Sequence, residues 1–365
     1  MISSGKRLNK KERGIVKMKK HLVRMGDGFL TSCTESDIRR DLEEGTKDAA
    51  QRASVPPLSE DELRHLFDIY SSSAKFTSVD IGNEVILTYD AGTLKIRRVG
   101  IDVGRIHALQ IYEKLLGADT MELAHVDYSF KSVKPIVGNE QPILEQALLT
   151  TTIPLFYGAM PNLGIYSQPD GPVSNPSELL PKGKIVEARE AQEEAVELAV
   201  KDMVYVASAM YESGADGINF DTTGAAGDPD FLATLRATKI LKEKYPDICI
   251  ELGMAGEFIL GMHGELEYEG IRLAGLYPHE QVKLAEKAGV TIFGPAVNTN
   301  TSKSCAWNLA RTVTFVKPCV ENANIPIHVN MGMGVGAVPV MDHPPTDAVS
   351  RASKAMVEIC RLDGL

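Results

Sequence analysis
SKAMVEICRLDGL (353–365) holds the end of an amphipathic helix, a short Gly/Asp turn and the opening of a buried strand, and three earlier stretches repeat that design. In LLGADTMELAHVD (115–127), ESGADGINFDTTG (212–224) and EKAGVTIFGPAVN (286–298) a helix closes at a glycine and an apolar strand follows. Glycine suits such a junction because the chain often leaves a helix through the left-handed region. Each strand runs out into polar residues: Glu122, His125 and Asp127 in the first, Asp221 in the second, Asn298 in the third. The fourth copy stops at Asp363-Gly364-Leu365 with its strand barely begun, which predicts that a further segment belongs at position 366.

Outward from these junctions, the pattern predicts strands over 120–127, 153–157, 217–221, 248–251, 291–294 and 325–330. Helices are predicted over 185–213, 230–244, 278–287, 302–320 and 347–360, the third opening with Pro278-His279-Glu280 as a helix N-terminus should. Apolar strands alternating with amphipathic helices imply a parallel sheet covered by helices. No strand leads into Gly-x-Gly-x-x-Gly, which disfavours a dinucleotide-binding doubly wound sheet, and GMGVG (332–336) is a weak phosphate signal by itself. Polar residues gather at the C-terminal ends of the strands, where barrels place their chemistry. The expected fold is therefore an α/β (β/α)8 TIM-type barrel. At roughly 40 residues per strand–helix unit about six of its eight strands are present, so the barrel reads as incomplete at its C-terminus.

The preceding third reads as a helical region with a small antiparallel β part. Thr34 opens a helix, Ser59 and Glu62 form a capping box for a second, and the alternation of 75–99 predicts short strands. His65 and His107 fall in helical patterns and read as surface or capping residues. The first seventeen residues hold six Lys/Arg and one acid, unlike the rest, and read as a translated ribosome-binding leader with Met18 as the start. The expected divisions are thus 1–17 leader, 18–117 helical and mixed region, and 118–365 barrel.

Composition narrows the class. The 365 residues are 44% hydrophobic and 24% charged, and no apolar run approaches a membrane span. A net charge of −10 argues against nucleic acid as partner. Five scattered cysteines, none in a Cys-x-x-Cys pair, point to reduced thiols in the cytoplasm. Oligomeric state is left open, a homo-oligomer included.

Longer stretches resemble one family. RMGDG (24–28), GADTMELAHVDYSFKSVKPIV (117–137), IPLFYGAMPNLG (153–164), SGADGINFDTTGAAGD (213–228), GMAGEFILGMHG (253–264), FGPAVNTNTSKSCAWNLAR (293–311), HVNMGMGVG (328–336) and RASKAMVEI (351–359) resemble the dimethylamine:corrinoid methyltransferases. The resemblance implies a pyrrolysine directly after Leu365, encoded by an in-frame amber codon. It implies that a methyl group passes from dimethylamine to cobalt on a cognate corrinoid protein, releasing monomethylamine in methanogenesis or one-carbon metabolism. The corrinoid belongs to the partner, and the scheme needs no metal and no other cofactor on this chain. The chain ending at Leu365 is expected to be inactive, as if its gene were cut at the amber codon. Two alternatives stand beside this reading: a non-catalytic fragment, and a barrel lyase acting on a small carbonyl compound. The lyase would need a lysine at a strand end, and no predicted strand ends in one.

The proton-handling residues are read from position. Glu251 ends a strand in ICIELGMAGE and is the first choice of general acid/base; Asp221 in NFDTTGAAGD is the second. Glu122 and Asp127 share a strand with His125, and paired polar scaffolding is the alternative for them. Asn298, Asn300 and Asn330 have the chemistry to bind an amine, with turn formation an equal alternative. Tyr157 is a pocket or core aromatic, and His263 is the loop histidine chosen for the site. Trp307 and Arg311 are expected to pack a helix beneath the barrel.

Overall fold
The computed structural model describes residues 19–74, 77–79, 83, 156–159, 163–215, 217–261, 265–332, 334–341 and 344–365. β1 (Lys20–Arg24) and β2 (Leu30–Thr34) pair antiparallel around a turn at Met25–Gly28. This hairpin escapes the sequence reading, because each strand is only five residues long and half exposed. β2 ends at Thr34, whose hydroxyl accepts the Asp37 N–H while the Asp37 carboxylate accepts the Thr34 N–H, so α1 (Glu35–Ala53) starts where expected. Ser59 and Glu62 form the same reciprocal cap for α2 (Glu60–Ser71). Both caps satisfy donors that a helix N-terminus otherwise leaves bare.

Beyond this region β3 (Phe156–Ala159), β4 (Gly217–Thr223), β5 (Cys249–Met254) and β6 (Ile292–Gly294) lie side by side, all parallel and in chain order. Single bridges carry the order onward, Phe293 to Ile327 and His328 to Gly364, both parallel. The expected strand over 325–330 is thus reduced to one bridge on each side. The helices between them are α3 (Ile185–Glu212), α4 (Asp228–Lys244), α5 (Pro278–Ala288) and α6 (Cys305–Asn322), and each packs on the next. Strand order never reverses, so right-handed crossovers place these helices on one side of the sheet. Among the described residues the sheet does not close into a ring. The last helix differs from expectation: α7 (Thr346–Ala355) gives way to a π turn at Met356–Cys360, and Arg361 then takes a left-handed φ of 58° to release the chain toward Gly364.

The two faces of the sheet have different chemistry. Ile218, Phe220, Ile250, Leu252, Phe293 and Ile327 are at most 1% exposed and form the core beneath the helices. Alternate residues on the opposite face are Asn219, Asp221, Glu251, Gly253, Gly294, His328 and Gly364.

The N-terminal helices are bound to the C-terminal half. α1 lies along α6. Ser304 Oγ donates to Asp41 at 2.7 Å, Thr314 Oγ1 to Thr46 at 2.8 Å, and Arg24 Nε to both Asp347 oxygens at 2.9 Å. At the crossing a Cβ on Gly45 would run into the Trp307 carbonyl oxygen. Gly45→Ala therefore forces two helices apart and lowers stability by about 1–3 kcal/mol, the usual cost of overpacking. Urea unfolding checks this; an unchanged midpoint would contradict the crossing. The expected strand over 120–127, most of 75–99, His107 and the leader 1–17 lie outside the described residues.

Candidate active site
Glu251 occupies the middle of β5, is 3% exposed, and its Oε1 stands 2.6 Å from His328 Nδ1. The partner comes from the 327–328 segment, one strand position beyond β6, so the contact spans the inner face rather than following the chain. A carboxylate and an imidazole at that distance share a proton or a charge-assisted hydrogen bond. The site thus has an acid/base pair that a proton can enter or leave by either member.

The layer above Glu251, which carries His328, has few other side chains. Asp221, Gly253, Gly294, His328 and Gly364 follow one another across the sheet, and three of the five have no side chain. Asp221 uses some of the space: its Oδ1 lies 2.8 Å from where a Cβ on Gly253 would be. That oxygen also accepts the Thr222 N–H at 2.7 Å. Thr222 itself sits at φ 57°, where the register of β4 against β5 shifts between Phe220 and Thr223. A non-glycine residue held there costs on the order of 1–3 kcal/mol, and such strain collects at functional sites. The bulge turns the Asp221 carboxylate over β5.

Around the mouth runs a second charged network. Arg311, near the middle of α6, reaches the Glu257 carboxylate, donates to Asp48 at 3.1 Å and to the Asn298 carbonyl at 3.2 Å. Glu257 in turn accepts the Asn298 N–H at 3.1 Å. Arg311 and Glu257 are each 7% exposed. The guanidinium therefore fastens the loops after β5 and β6 together and to α1, so Arg311 serves the mouth rather than packing a helix beneath the sheet. Trp307 is buried against α1 as a packing residue.

The residues chosen from sequence fall into four groups. Asp221 and Glu251 are brought together on the inner face. Asn298 and Asn330 are exposed at the rim, the first with its backbone fixed by Glu257 and Arg311. Asn300 is committed to a turn: its Oδ1 accepts the Ser302 N–H at 2.9 Å and hydroxyl at 2.7 Å, while the Asn308 amide holds its backbone. Glu122, His125, Asp127 and His263 lie outside the described residues, as does the Tyr157 side chain, although its backbone pairs with Ile218 in β3. His328 was missed. Alternation was the available signal, since Ile327 and Val329 are apolar while His328 and Asn330 fall on the other face. Cys305 supplies no competing nucleophile, because burial pushes its thiol up to about 12.

The model of the family described as dimethylamine methyltransferase matches residues 19–365. The chain belongs to the dimethylamine methyltransferase family. Its members are methyltransferases, and the inner-face pair of Glu251 and His328 lies within the matched region. A solved structure, the YdjI aldolase from Escherichia coli K12, is similar at 11% identity over 86% of this chain and 77% of that one, with a TM-score of 0.30. Among the described residues, no helix is long and apolar enough to cross a membrane.

Proposed function
We propose that the inner face binds dimethylammonium and that the complete enzyme passes one of its methyl groups to cob(I)alamin-type cobalt on a cognate corrinoid protein. The Glu251–His328 pair carries this reading: a buried carboxylate beside a layer of glycines suits a small organic cation. Dimethylammonium has an amine pKa near that of lysine, ~10, so it arrives protonated. Glu251 attracts that charge, takes the proton when the nitrogen must offer its lone pair, shares it with His328, and returns it to the nitrogen that departs. The balance closes without an outside proton. Dimethylammonium gives up CH3 as a cation equivalent, the cobalt(I) electron pair forms the new C–Co bond, the C–N pair stays on nitrogen, and neutral methylamine leaves.

The family resemblance puts pyrrolysine directly after Leu365, where it would supply a cyclic imine that an amine can add to. The His328–Gly364 bridge supports that position: a side chain two residues past Gly364 shares its face with His328. The sheet order supports the (β/α)8 barrel on which the face would become a mouth, and the cytoplasm is the proposed location. On this reading residues 1–365 supply the cup that binds the amine, and residue 366 supplies the imine on which turnover depends. The reading is tested by anaerobic assay with dimethylamine and a reduced corrinoid protein. A protein read through position 366 with pyrrolysine gives methylcorrinoid and methylamine one to one, and the 365-residue chain gives neither. Equal rates from both would overturn it. Among the described residues no strand of the parallel sheet ends in lysine, which leaves the lyase alternative without its Schiff base.

A further inference from the structure
Asn219 on β4 is the neighbour in register of Glu251 on β5, so both side chains leave the sheet on the same face. It is 4% exposed, and its Oδ1 has no hydrogen-bond partner among the described residues. A buried amide oxygen without a donor is uncommon in a folded protein and calls for an explanation. The β3 neighbour cannot provide the donor from a side chain, because the residue in register there is Gly158. An acceptor with no donor, beside a carboxylate, is complementary to a ligand that carries two donors on one charged atom.

We propose that Asn219 Oδ1 accepts one N–H of the substrate ammonium while Glu251 accepts the other, and that this pair of acceptors sets the preference for a secondary over a tertiary amine. The inference rests on the reading of the inner face as the dimethylammonium site. Dimethylammonium has two N–H groups, trimethylammonium one and tetramethylammonium none. The carboxylate serves any cation with one N–H. The second acceptor serves only a cation with a second N–H; trimethylammonium leaves it bare, as it is without ligand, and gains nothing from it. A buried polar group left unpaired by the wrong ligand discriminates far more strongly than a misfit of one methyl group. Asn219 is thus a specificity-determining residue.

Calorimetric titration of dimethylammonium and trimethylammonium chloride into the 365-residue chain tests this. Asn219→Leu keeps the branched side-chain shape and removes the acceptor. It is expected to weaken dimethylammonium binding about 10- to 100-fold, the loss typical of a hydrogen bond to a charged group. Trimethylammonium binding stays within about twofold, so the preference collapses, and its survival shows that the site is folded. If Asn219→Leu leaves the preference intact while Glu251→Gln abolishes binding, the assignment of Asn219 is wrong and the dimethylammonium site stands. If the unaltered chain binds neither cation, both fall together. Should Asn219→Leu bind neither, Asn219→Asp, which keeps the acceptor, decides: a retained preference supports the assignment and a lost one overturns it.

Discussion
Glu251→Gln lowers kcat for methyl transfer about a thousandfold in the pyrrolysine-containing protein and leaves its fold standing. General acid–base catalysis contributes roughly 10²- to 10⁴-fold, and here the same carboxylate also holds the ammonium charge. Glutamine keeps the shape and accepts one hydrogen bond, so the 2.6 Å contact with His328 survives in weakened form and β5 stays packed. What disappears is the capacity of a side chain only 3% exposed to receive a proton. His328→Gln is expected to cost about 10- to 100-fold, since the imidazole acts through Glu251. The two changes are not additive: the double variant is hardly slower than Glu251→Gln alone, as residues acting as a unit require. Steady-state rates with circular dichroism on each variant check this. Full additivity would place the two residues in separate roles.

Arg311→Met is the change with the largest expected effect on stability. The guanidinium is 7% exposed and joins Glu257, Asp48 and the Asn298 carbonyl, so its removal leaves the Glu257 carboxylate buried without its cation. Breaking one side of a buried pair costs about 3–5 kcal/mol, whereas replacing both partners by apolar groups is often close to neutral. Urea unfolding should therefore show a large loss for Arg311→Met and a partial recovery when Glu257→Leu is added. Recovery will be incomplete, because the Asn298 N–H also loses its acceptor in the double variant. If Arg311→Met unfolds at the same midpoint as the unaltered protein, the clamp is not a stabilising element.

Much of this was legible in the chain because it depends on local pattern. The helix-to-glycine-to-strand junctions give β4 and β6 within a residue or two, the apolar run at 248–251 gives β5 three residues short of its end, and the capping residues Thr34 and Ser59 fix the starts of α1 and α2. Glu251 and Asp221 drew attention as polar residues among apolar ones, although both strands run past the ends expected for them, which leaves Glu251 mid-strand. The Glu251–His328 contact was not visible, because 77 residues and a strand-order argument separate its members. Asn219 was hidden differently. In sequence it is one polar residue inside an apolar strand, and only the register against Glu251 and Gly158 gives it a role. Arg311 misled because a position inside an amphipathic helix says nothing about how far its long side chain reaches. The π turn at Met356–Cys360 depends on how the chain must leave α7 to bring Gly364 beside His328.

A crystal structure of the 365-residue chain soaked with dimethylammonium would test the central claim most directly. The account places the bound nitrogen about 2.7–3.2 Å from the Glu251 carboxylate, on the glycine-lined face that also carries His328. Dimethylammonium found only elsewhere, for instance in the groove between α3 and α4 lined by Val200, Tyr205 and Lys244, with Glu251 closed off by packing, would contradict it.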